Sequence, residues 1–138
     1  EIINGTMKII TGLDWINYEI HFPEKIIDQC LKLSVNSEGC DIVDIVYVLY
    51  KCSLITDYKK KDIDNYFDNV LIEIMKHYLK KDEGFSYFIN KSQTHYYGLK
   101  ITKGMNTADI HGTTLLLWAI SMIDNFKNGS SRFNILKP

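Results

Sequence analysis

Three stretches of this chain are apolar around most of a helical circumference, and the two stretches between them are apolar along one side only. A helix that is hydrophobic all round must be covered on every side, whereas a striped helix lies at a surface with its polar side in water. The first stretch, about residues 4–18, spreads Met7, Ile9, Ile10, Leu13, Trp15 and Ile16 round its circumference. A second helix opens at Pro23, a residue suited to the first turn because its missing N–H has no partner there, and collects Ile26, Ile27, Cys30 and Leu31 on one side. After the turn Asn36–Gly39, the third stretch (about 41–55) is the most apolar, with Ile42, Val43, Ile45, Val46, Val48 and Leu49. The fourth, about 61–80, is striped at Ile63, Phe67, Val70, Leu71, Ile74, Met75, Tyr78 and Leu79, the rhythm of one buried face. A long aromatic loop, 81–106, precedes a fifth helix over about 107–126 that is again apolar all round at Leu115–Ile120.

Buried, striped, buried, striped, buried is the layering of an α/α-toroid, in which inner helices alternate with outer ones about a central cavity. A plain bundle would stripe its helices alike. The expected fold is therefore all-α: a partial toroid of about five helices over residues 1–128, followed by a polar tail over 129–138.

Composition narrows the function by exclusion. The net charge of −1 offers no basic field for nucleic acid, and the run Lys59–Lys61 reads as a solvated helix end. The longest apolar run, Leu115–Ile120, is far shorter than the roughly 20 residues that span a bilayer. Three cysteines without a framework of close spacings point to a reducing compartment, and so to the cytoplasm. Cys30 and Cys52 fall on apolar faces, and they and the two tryptophans, Trp15 and Trp118, read as core.

A few polar residues stand out against this background. Cys40, Asp41 and Asp44 share one face where the third helix begins. An acid in a first turn complements the helix dipole, which accounts for Asp41. Asp44 lies in an otherwise apolar run, where a carboxylate is costly without a partner, and is a site candidate. Asn106, as N-cap, with Asp109 three residues on resembles a capping box. His111 precedes the fifth apolar run and should point inward; facing Asp44, it would make a carboxylate–imidazole pair suited to proton transfer or to gripping a polar ligand. The loop places His95, Tyr96 and Tyr97 among hydroxyl and amide side chains, close after Phe85, Tyr87 and Phe88. Such a loop either packs its own aromatics against helix ends or forms a lid that stacks a sugar or shelters a cation.

At Gly84-Phe-Ser-Tyr87, followed by Ala108-Asp-Ile-His-Gly-Thr113, the sequence resembles the prenyltransferase and squalene-oxidase repeat superfamily, whose toroids often carry a Gly-Phe turn between an outer helix and the next inner one. The resemblance covers about residues 39–123. It places Asp44-Ile45-Val46 where protein prenyltransferases carry an Asp-x-Cys zinc element, and His111 where their zinc histidine falls. Val46 has no ligand atom, and an aspartate with a histidine makes a poor zinc site, so neither a metal nor another cofactor is expected. The tryptophan-glutamine repeats and the acid motif of triterpene cyclases are missing too.

The resemblance implies a toroid scaffold that binds a small molecule, an isoprenoid or a sugar, or a protein partner. Asp44 and His111 are its central residues, and Cys40, Asp41, His95, Tyr96, Tyr97 and Asp109 are its ligand contacts. The alternative it carries is an isoprenoid-processing transferase or cyclase using Asp44 and His111 as an acid–base pair, so that enzymatic activity stays open. Five helices fall short of a complete ring. The chain is then either a fragment of a longer protein or a half-ring whose apolar inner face pairs with a second copy.

Overall fold

One proline opens a helix and none interrupts the others, and in the computed structural model, which describes residues 2–129, five helices carry the chain. They are α1 (Ile2–Trp15), α2 (Pro23–Cys30), α3 (Gly39–Ser53), α4 (Lys60–Lys76) and α5 (Ile110–Asn128). Two short antiparallel ladders organise the connection from α4 to α5. β1 (Tyr78–Leu79) pairs with β2 (Gly84–Phe85), setting Tyr78 opposite Phe85; β3 (His95–Tyr96) pairs with β4 (Leu99–Lys100), setting His95 opposite Lys100. The all-α expectation thus holds with this small β addition. The expected polar tail lies, from residue 130 onward, outside the described residues.

Every residue of α3 from Ile42 to Tyr50 is buried. Helices α1, α2, α4 and α5 all pack on it, α5 and α1 most extensively. Its valines, isoleucines and leucine each contribute about 1.5–3 kcal/mol by leaving water, so the most apolar stretch of the sequence becomes the centre of the core. Helix α4 turns Ile63, Phe67, Val70 and Ile74 inward, as its stripe requires. Phe67 meets Phe126 of α5 edge to face, with ring centroids 5.1 Å apart. The stripe ends early: Met75 is exposed, and α4 stops at Lys76, beyond which Tyr78 and Leu79 enter a ladder.

Two of the three helices expected to be buried all round are not. In α1 only Ile10 is buried, and Trp15, expected in the core, is 62% exposed. In α5 Ile110 and Leu117 are exposed while Leu116, Ala119, Met122 and Ile123 are buried; Trp118 is partly buried against the core. Only α3 is enveloped. Hydropathy states how much apolar surface a helix carries, but burial needs a neighbour on each side, and only the middle helix has them.

Candidate functional site

The segments Gly84–Tyr87 and Ala108–Thr113 lie against each other. Gly112 of α5 crosses the chain at Ser86–Tyr87 so closely that a Cβ there would sit 2.4 Å from the Tyr87 nitrogen, which only glycine permits. Thr113 Oγ1 lies 3.0 Å from both the amide nitrogen and the carbonyl oxygen of Phe85. Asp109 completes the clamp. Its Oδ1 accepts from the Gly112 N–H at 2.8 Å as the N-cap of α5, and its Oδ2 accepts from the N–H groups of Tyr87 (2.8 Å) and Gln93 (3.2 Å). The cap is thus Asp109 itself, three residues after the expected Asn106, because its carboxylate has loop amides to satisfy as well as the helix end. From the α4 side, His77 is fully buried with Nδ1 2.8 Å from the Ser86 carbonyl oxygen, which can only accept, so Nδ1 carries a proton.

This clamp positions His111. Its ring stacks on Tyr87, centroids 5.4 Å apart and planes 19° from parallel, and Tyr96 meets it edge-on at 5.8 Å. Its Nδ1 lies 2.7 Å from Oε1 of Gln93, a buried side chain. With the amide oxygen accepting, Nδ1 bears the proton, and in a neutral imidazole so held Nε2 is the acceptor. His111, Gln93, Tyr96, Asp109, Ile101, Thr102, Ile110 and Thr114 line an open cleft of about 630 Å³. Its walls are mostly apolar, and a few polar groups converge in it, the usual make-up of a small-molecule site.

The other residues singled out from the sequence lie around this cleft or away from it. Cys40 lies beside Tyr87, whose hydroxyl acts on its thiol. Burial pushes that thiol up, the nearby carboxylates of Asp44, Asp41 and Glu38 add to the rise, and the bond from Tyr87 offsets part of it. The sulfur therefore stays protonated at neutral pH and is a poor nucleophile. Asp44 does not meet His111. It is 4% exposed and accepts from Asn4 Nδ2 of α1 at 2.7 Å, and no hydrogen bond or ion pair joins it to His111 among the described residues. The pair expected from the sequence dissolves because the Asp44 side of α3 is covered by α1 and not by α5. Asp41 accepts from Asn36 and borders a different cleft, of about 690 Å³, with Ile2, Leu33 and Glu73. His95 is exposed, its Nδ1 3.0 Å from Thr94 Oγ1, and Tyr97 stands 89% exposed against the edge of Tyr96.

Gln93, which fixes the His111 tautomer, and Tyr87, on which the ring stacks, were not among the expected site residues. The signal for both was present: Gln93 lies in the polar loop segment and Tyr87 in the Gly-Phe turn. Their pairing with His111 spans 18 and 24 positions of the sequence, and no periodicity reports it.

No family model matches the chain, and no curated protein or solved structure resembles it closely enough to count as a match. Among the described residues no three His, Cys, Asp or Glu side chains gather where they could hold a metal ion, and no helix is long and apolar enough to cross a membrane.

Proposed function

We propose that this chain is a ligand-binding part of an α/α-toroid scaffold of the prenyltransferase-like repeat kind, working in the cytoplasm, and that its ligand is a small hydroxylated molecule with an apolar face, such as a sugar, seated on His111. The observation that carries the reading is the preorganised imidazole. Gln93 holds Nδ1 and Tyr87 holds the ring plane, so Nε2 is kept as an acceptor for a ligand hydroxyl beside the Tyr96 ring. A sugar offers both halves of that contact, hydroxyl donors and a C–H face that stacks on an aromatic ring. The toroid part of the reading is supported by α3 packing most extensively on α1 and α5, as an inner layer would, with α2 and α4 also against it.

The isoprenoid-processing alternative required Asp44 and His111 to act together, and the Asn4 contact of Asp44 gives it no support. Ligand-observed saturation-transfer NMR with a panel of methyl glycosides, disaccharides and geraniol tests the proposal. Binding of a glycoside, weakened about tenfold or more (~1.4 kcal/mol) by His111→Phe and by Gln93→Leu, is the expected result. Transfer to geraniol alone would favour the isoprenoid alternative. The site is wrong if no probe binds, or if binding ignores both substitutions.

A further inference from the structure

Helix α1 turns its exposed side to solvent as a regular stripe. Ile2, Gly5, Ile9 and Gly12, with Ile16 just past the helix end, follow one another at alternating steps of three and four residues, and all five are exposed, the isoleucines at 86%, 66% and 70%. This is the spacing of a helix–helix seam, and it lies across α1 from Met7, which with Ile3 and Ile10 faces the core. Lys8 is the one ionised side chain among the exposed residues of α1, so the stripe is nearly uncharged, as the centre of an interface is.

The glycines carry the argument further. Both sit in the interior of the helix, where glycine weakens it relative to alanine. Neither needs to be glycine for the fold: a Cβ at Gly5 or Gly12 would meet nothing within 4 Å, and neither backbone has a positive φ. What glycine does allow is the close approach of a second helix, with large side chains of one seated over the gaps of the other.

We infer that this face is the interface of a homodimer, with α1 of one copy packed antiparallel on α1 of another. The stripe is self-complementary in that direction: with Ile9 over the partner's Gly5, Ile2 falls over the partner's Gly12, and the two-fold axis repeats both contacts. Ile16 then reaches past the start of the partner's α1. There an apolar groove of about 340 Å³ opens beside Ile2, lined by Phe22, Ile26 and Leu33. The three isoleucines expose roughly 400 Å², half of the ~800 Å² each partner gives a standard interface, and the groove extends that surface. The inference rests on α1 alone and stands or falls apart from the ligand cleft.

Sedimentation equilibrium on the whole chain, from about 1 to about 200 µM, tests it. A dimer is expected, with its Kd raised at least about tenfold by Ile9→Lys while circular dichroism shows the helices intact. Ile110→Lys, in the ligand cleft, leaves the Kd unchanged. Gly12→Ala separates this interface from a bare helix effect: it raises the melting temperature of a monomer, where only helix propensity counts, but weakens the dimer by filling the gap that receives Ile2. A chain that stays monomeric over the whole range overturns the inference and leaves the stripe to a helix of some other protein. A dimer indifferent to both Ile9→Lys and Gly12→Ala overturns it too, by placing the interface elsewhere.

Discussion

Asp44 sits in the middle of the most buried helix with one neutral donor, Asn4, against it. Its pKa is raised above the ordinary carboxylate value, by burial first and by the charge of Asp41 as well, while Asn4 and Lys8 pull it back. A carboxyl whose folded pKa exceeds its unfolded one binds its proton more tightly in the native state. Its contribution to stability is therefore best below the unfolded value and declines as pH rises from there through the raised folded value. Asp44→Asn keeps the shape and removes the charge. The variant is expected to equal or exceed the parent in stability at neutral pH, and to lose that part of the decline when urea unfolding is followed from about pH 4 to about pH 8. If Asp44→Asn is instead markedly less stable at neutral pH, the bond from Asn4 outweighs the cost of burial. The sequence marked Asp44 correctly as a charged residue in an apolar run; that its partner is an asparagine forty residues earlier came only from the packing of α1 on α3.

Among the elements, the start of α5 does most to shape the candidate site. Asp109 caps the helix and also accepts from two loop amides, so a single carboxylate joins α5 to the segment that holds Tyr87 and Gln93. Asp109→Ala is expected to cost about 2–4 kcal/mol, the sum of a lost cap and of buried N–H groups left without a charged acceptor. Asp109→Asn should recover part of that, because its amide oxygen still accepts at one position. Guanidinium unfolding measures both, and if the alanine variant loses less than about 1 kcal/mol the clamp is not the anchor it is taken for. Local chemistry made a helix start readable here, but the cap expected at Asn106 falls on Asp109, and the close approach of Gly112 and the hydroxyl tie of Thr113 came only from packing. The loop it grips was not readable either, since Gln93 and Tyr87 become neighbours of His111 only after the segment Ser86–Tyr87 has been pressed onto Gly112.

Over the whole molecule, stability is graded outward from α3. Native-state hydrogen exchange is expected to show the slowest amides in α3, at Ile42–Tyr50, exchanging by global unfolding. The amides of α1 around Ile9–Gly12, exposed on one side, exchange by local opening at lower free energy. Equal protection of α1 and α3 in a strictly monomeric sample would contradict this grading; slower exchange in α1 at concentrations where the chain dimerises is what the α1 interface requires. The sequence by itself determined the helices, the burial of the most apolar one and a helix start near Asp109, because these follow from local propensity and from the quantity of apolar surface each segment carries. Tertiary structure alone decided which faces are covered, that Asp44 meets Asn4 and not His111, and that His111 is held by Gln93 and Tyr87. Those outcomes depend on contacts between residues far apart in the chain, which no hydrophobic period encodes.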